Sequence, residues 1–215
     1  TLPRDRKTNV ASPGNYLHWR DMNHVFDDIA AVGLTFNLTL TGVGEPVELP
    51  FQYVTANFFP ILGVQPAMGR PFTVEEDRPN SRVVVISDRL WRSRLNADPE
   101  VLSRGITLQS ERYTVVGVMP PGFSFLDKTV DVWMPVGFTA QHRTPRGRWI
   151  ATVAKLKAGV TPEQAQRDMT RVTAEMTRLF PDFNTGWTAN VVPLREQMTG
   201  DIRPALLVLV GAVAF

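Results

Sequence analysis

Apolar positions along this chain recur with two periods, and the switches between them outline its elements. The longest helical pattern lies over 162–180. Ala165, Met169, Val172, Met176 and Leu179 step by four, three, four and three residues. That places one apolar seam along a helix of about five turns. Thr161 stands at the N-cap, Pro162 at the first helical position and Gln164 at the third, which is a capping box. Glu163, Arg167, Arg171, Glu175 and Arg178 fill the opposite face, and Phe180-Pro181 ends the helix. A first helix opens at Ser12-Pro13 and carries Tyr16, Trp19, Met22 or Asn23, and Phe26 at near-helical spacing.

Elsewhere the period is two. Phe36, Leu38 and Leu40 alternate with Asn37, Thr39 and Thr41. A Gly42–Pro46 turn then leads into a returning strand over 47–55. Residues 57–63 read as a helical turn of large apolar side chains that stops at Gly63. Val83-Val84-Val85-Ile86 is a continuous β-branched run, as expected of a strand buried on both faces. Ser87 is placed to cap a short helix bearing Leu90, Trp91 and Leu95, and Asp98-Pro99 starts a second one that Gly105 ends. Ile106 and Leu108, a Ser110-Glu111 turn, then Tyr113 and Val115 predict a hairpin, stopped by Pro120-Pro121-Gly122. Further strands are predicted over 131–136, 149–157 and 187–194.

This order predicts an α+β fold in two lobes: an antiparallel sheet backed by helices, with an inserted mixed α/β lobe. Residues 1–57 with 145–203 form the first lobe, and residues 58–144 the second. The last stretch, ALLVLVGAVAF, is uncharged and apolar on every side of a helix. Residues 204–215 are therefore expected to begin a truncated transmembrane helix of a longer polypeptide. The opening Thr1–Lys7 is polar and charged, without the apolar centre of a signal peptide.

Composition narrows the chemistry. The 215 residues are 43% hydrophobic and 20% charged with a net charge of +2, the balance of an ordinary folded protein. That charge gives no ground for nucleic-acid binding. Without cysteine there are no disulfides and no thiolate chemistry. Arg143, Arg146 and Arg148 form the densest basic cluster. They read as a solvated loop, with an anion or headgroup site as the alternative. Ser87 reads as a cap before it reads as a nucleophile, because no flanking glycines make a nucleophile elbow. His18 and His24, six apart, do not share a helical face, and no motif completes a metal site around them. Glu75, Glu76 and Asp77 lack the alternating ligands of a calcium loop, and Thr73 with Glu76 has capping-box spacing. Asn37-Leu38-Thr39 matches a glycosylation sequon, a triplet frequent by chance. HExxH, GxSxG, P-loop and post-strand GxGxxG motifs are absent. No catalytic, cofactor-binding or metal residue is assigned.

Several stretches together resemble a known family. They are SPGNYLHWRDMN, VTANFFPILGVQPAMGRPFTVEED, VVVISDRLWRSRL followed by ITLQSERYTVVGVMPPGF, VDVWMPV, RWIATVAKLKAGVTPEQAQRDM and GWTANVVPLREQMTGDIRPALLVLVGAVAF. In order and spacing they are similar to the extracytoplasmic (periplasmic) core domain of MacB-like ABC transporter permeases, and in particular to the large duplicated orphan permeases of some soil bacteria. The resemblance covers essentially the whole chain. It implies a two-lobed, non-enzymatic domain on the periplasmic or outer side of a bacterial inner membrane. That domain would transmit ATP-driven conformational change for export or efflux. The implied partners are a cytoplasmic ABC ATPase acting through the parent permease, a second permease copy in a dimer, and a periplasmic adaptor, with the membrane reached through the parent chain and no nucleic acid. The alternative classes are a free-standing exported ligand-binding domain and an exported hydrolase.

Overall fold

The computed structural model describes residues 10–199. The chain is α+β and forms two compact units. One comprises the residues up to Met22 together with Asp27–Lys155, and the other Asn23–Phe26 together with the chain from Leu156 onward. In chain order the first elements are α1 (Pro13–Met22), β1 (Phe26–Gly33), β2 (Phe36–Thr41), β3 (Val47–Val54), α2 (Phe58–Leu62) and β4 (Met68–Gly69). They are followed by β5 (Val83–Ile86), α3 (Asp88–Arg94), α4 (Val101–Arg104), β6 (Ile106–Leu108), β7 (Glu111–Val118) and β8 (Val132–Pro135). The last are β9 (Ile150–Leu156), α5 (Pro162–Leu179), α6 (Pro181–Asn184) and α7 (Leu194–Thr199).

Six of these strands close on themselves. β2 pairs with β6, β6 with β7, β7 with β5, β5 with β8, β8 with β3, and β3 returns to β2. Closure follows from β2 being paired on both sides, with Leu38 opposite Leu49 of β3 and Leu40 opposite Leu108 of β6. The result is a small barrel without free edges. The sheet is mixed rather than antiparallel, because β3–β8 and β5–β7 run parallel. Alternation sends Leu38, Leu40, Leu49, Phe51, Val84, Ile86, Ile106, Leu108, Val115, Val132 and Met134 into one core, which Leu90, Leu95 and Val101 of α3 and α4 join. Gly105, at φ +67, passes so close to Tyr113 that a Cβ would lie 2.3 Å from its carbonyl oxygen, so only glycine fits between α4 and β6.

The outer wall of β5 and β8 is also buried, which accounts for the unbroken Val83–Ile86 run. Val85 pairs with Trp133, and the Trp133 ring packs edge-on against Phe59 and Phe123, in a cluster that also holds Phe58, Phe72 and Phe125. Residues 57–63 thus plug an aromatic core as predicted, and Gly63 ends α2 in the left-handed region.

Closure of the barrel moves the expected lobe boundary. The strands of segment 36–54 complete a ring whose other members lie within 58–144, so the compact units do not divide at 57/58 and 144/145. Helix α1 stops at Met22, four residues before the predicted Phe26. There the Asn23 side-chain oxygen accepts a hydrogen bond from Phe26 N–H at 2.9 Å and turns the chain into β1. Asp98-Pro99 starts no helix, and α4 begins at Val101.

In the second unit α5 forms as predicted. Thr161 Oγ1 accepts from Gln164 N–H, and Gln164 Oε1 accepts from Thr161 N–H. Ala165, Met169, Val172 and Met176 are buried, but Leu179, the last residue of the predicted seam, is 44% exposed. The strand predicted over 187–194 does not form. Its backbone is held by one side chain instead: the Gln166 amide donates to Ala189 O and accepts from Val191 N–H, and α7 starts at Leu194. The expected membrane segment at 204–215 lies outside the described residues.

Burial of the α5 seam sets a stability prediction. Met169→Asp or Val172→Asp places an unpaired charge in an apolar site and should cost on the order of 3–5 kcal/mol. Leu179→Asp should stay within about 0.5 kcal/mol of the parent. Urea denaturation of the three variants checks this, and equal midpoints would show that Met169 and Val172 are no more buried than Leu179.

Candidate functional site

Several polar side chains singled out in the sequence make internal bonds among the described residues. Ser87 Oγ accepts from Leu90 N–H at 3.0 Å, the cap that the sequence predicts, and donates to Asp131 Oδ1 at 2.5 Å. Arg89 binds both Asp131 oxygens, at 3.1 and 2.8 Å, and reaches Thr129 O at 2.6 Å. The group latches the start of α3 to the start of β8. Its hydroxyl faces a carboxylate paired with a guanidinium, and among the described residues no histidine hydrogen-bonds to Ser87 to activate it.

Of the three acids after Val74, Glu76 and Asp77 have different structural jobs. Glu76 holds Arg70 through two bonds, at 2.8 and 2.6 Å, and closes the capping box on Thr73 N–H. Its hydrogen bond to Arg70 lowers its carboxyl below the ordinary value. Asp77 accepts from Ala56 N–H and Gly137 N–H at 2.9 and 2.8 Å, stapling two distant loops. In the second unit Asp168 accepts from His24 N–H and from Arg171. Burial raises the Asp168 carboxyl, but those bonds outweigh it and the net shift is downward. Among the described residues no group of three or more His, Asp or Glu is placed to hold a metal ion. Arg143 pairs with Asp21 at 2.7 Å, Arg146 is exposed and Arg148 half-buried. The sequon residue Asn37 is exposed on β2 and donates to Glu48.

The concave feature that sequence reading missed is a cleft of about 410 Å³ at one end of the barrel. It opens where β2 starts and β3 and β8 end, among Phe36, Leu38, Phe51, Tyr53, Leu108, Gln109, Tyr113 and Met134. α3 follows the end of β5, where Ile86 pairs with Val132, and so lies at the opposite end from Met134. Burial, with Glu111 close by, raises the Tyr113 hydroxyl above its ordinary value, which keeps it a neutral donor. The aromatic residues at strand ends were visible in the sequence. Their convergence depends on ring closure, which no local pattern encodes.

Residues 6–172 match the model of the family described as MacB-like periplasmic core domain, and the chain belongs to that family. Among curated proteins, the macrolide export ATP-binding/permease protein MacB of Burkholderia pseudomallei is 28% identical over 181 residues, which cover 83% of this chain and 26% of that protein. The protein of the same name from Hahella chejuensis is 23% identical over 170 residues, 78% of this chain and 25% of that protein. The chain therefore spans about a quarter of the length of the curated relatives it matches. Among solved structures, the periplasmic region of MacB from Actinobacillus actinomycetemcomitans superposes with a TM-score of 0.61 at 14% identity, over 84% of this chain and 79% of that one. The extracellular domain of the noncanonic ABC-type transporter YknZ from Gram-positive bacteria gives 0.57 at 14% identity, over 88% and 94%. These similarities show the fold. The class is thus a MacB-like periplasmic core domain of an ABC transporter permease. Among the described residues no helix is long and apolar enough to cross a membrane.

Two outcomes follow from the polar groups. Ser87→Ala should cost about 1–2 kcal/mol through the lost cap and the lost Asp131 bond. Thermal melts measure the cost, and a serine-directed fluorophosphonate should leave Ser87 unlabelled. The second concerns acid. The Thr129 hydroxyl and N–H, then the Thr35 hydroxyl, bind Asp127 and lower its carboxyl. A depressed folded-state carboxyl contributes stability that is present above its unfolded pKa, about 4, and is lost as pH falls through the folded value. Asp127→Asn should then lower stability at neutral pH and flatten its decline below about pH 4. Denaturation midpoints across that range decide, an unchanged acid slope being the contrary result.

Proposed function

We propose that this domain is a mechanical element of a MacB-like ABC permease. It passes conformational change, driven by ATP hydrolysis on the cytoplasmic side, to the periplasmic side for export. The observation that carries this reading is the family match across 6–172, with named relatives that are export ATP-binding/permease proteins. The internal consumption of Ser87, Asp131, Asp77 and Asp168 supports it against a hydrolase. The closed barrel supports it in another way, because a fully paired ring moves as one stiff body. On this reading the parent permease sits in the inner membrane, pairs with a second copy, works with a cytoplasmic ABC ATPase, and meets a periplasmic adaptor.

The test uses the parent permease with its ATPase in proteoliposomes. Replacing residues 13–193 by a short flexible linker should leave ATP hydrolysis measurable and abolish export. Export that persists without the domain overturns the reading. Turnover of ester or amide substrates by the 215-residue chain, lost in a buried-site variant, would favour the hydrolase instead.

A further inference from the structure

We propose that the open end of the barrel is a binding site for one small, uncharged aromatic molecule bearing one or two hydrogen-bonding groups. Barrel mouths are among the places where ligand sites occur, and the volume of about 410 Å³ falls in the range of such sites. That volume is enough for a two- or three-ring molecule.

The lining sets the chemistry. Phe36 and Phe51 have ring centroids 6.1 Å apart, and Tyr53 meets Phe51 edge-on at 5.2 Å. These rings form one wall, with Leu38, Leu108 and Met134 below them. Phe36 remains 47% exposed, an aromatic face with room for a stacking partner. Met134 adds an adaptable, polarisable surface. The polar groups are Asn37, Gln109 and the two tyrosines, all uncharged, and no Asp, Glu, Lys or Arg lines the cleft. Glu48 accepts from the lining residue Asn37, and Glu111 pairs with Arg82. A charged ligand would lose its hydration there without gaining a counter-charge.

A second observation concerns Gln109. The β6–β7 turn has two central residues, Gln109 and Ser110, both left-handed at φ +50 and +65. Such a turn favours Asn-Gly, and neither residue here is of that kind. The backbone therefore carries strain that an Asn-Gly pair would remove, while the long Gln109 side chain lines the mouth. The strained turn and the cleft share Gln109, which places its amide where it can meet a polar group of the ligand.

The proposal does not depend on the export reading and is tested on the 215-residue chain by itself. The probe is N-phenyl-1-naphthylamine, an uncharged aromatic whose fluorescence rises on burial, with its anionic analogue 1-anilinonaphthalene-8-sulfonate as control. Saturable binding of one neutral probe per chain is expected, at least tenfold tighter than the anion. Methyl NMR shifts should concentrate on Met134, Leu38 and Leu108. Phe36→Ser should weaken binding about tenfold with little change in melting temperature. The double variant Gln109→Asn with Ser110→Gly should melt higher yet bind more weakly. The proposal is overturned by absent or unsaturable binding, by shifts centred elsewhere, or by equal affinity in Phe36→Ser. Equal affinity for the anion overturns the uncharged specification, and a double variant that melts higher and binds unchanged removes Gln109 from the site.

Discussion

The double pairing of β2 is the constraint on which the first unit depends. Without its bonds to both β3 and β6, the six strands would be an open sheet with two unsatisfied edges. With them, every strand of the ring has two neighbours, and the alternation of each strand is forced to one answer. Leu38 and Leu40 must face inward because Leu49 and Leu108 do. A one-residue slip at any pair would turn a whole strand inside out, and closure carries that penalty around the ring. Six strands leave a lumen that side chains fill, so the barrel is a core and not a channel.

The polar residues answer to the same constraint. A barrel made from segments far apart in sequence needs its crossing loops tied down, and buried and half-buried polar groups tie them. Asp131 ties the entry of β8 to the cap of α3 through Ser87 and Arg89. Asp77 ties residue 56, just after β3, to residue 137, just after β8, which are parallel neighbours in the ring. Each carboxylate spans strand ends that the ladder alone would leave to fray. Ser87, Asp131 and Asp77 are thereby fastenings of the fold.

What the sequence made legible was local. The capping box of α5 joins residues three apart, and the Ser87 cap does the same, so both could be read without knowing the rest. The continuous Val83–Ile86 run announced burial on two faces correctly, because strand periodicity fails only when both faces are dry. The ring was hidden, since its closing contact joins Leu40 to Leu108 and no propensity spans such a distance. Helix α1 was read four residues too long because Phe26 kept the helical spacing while the Asn23 side chain turned the backbone. Residues 187–193 alternate as a strand would, yet a single glutamine on α5 takes one carbonyl and one N–H of that backbone in place of a strand partner.

The cleft follows from the same geometry. A barrel has two ends, and its core is exposed at any end that nothing covers. The chain leaves β5 directly into α3, whose Leu90 joins the core beside the start of β8. At the other end, where the 136–149 segment leaves β8, two connections are tight: a two-residue turn joins β6 to β7, and two residues separate β1 from β2. Neither is long enough to fold an apolar side chain over the mouth. The strand-end residues therefore have to close it themselves, and Phe36, Tyr53 and Tyr113 are large enough to narrow the opening but not to seal it. The two short turns thus leave Phe36 and Tyr113 uncovered on their side of the cleft, and lengthening either turn would be the direct way to cover them.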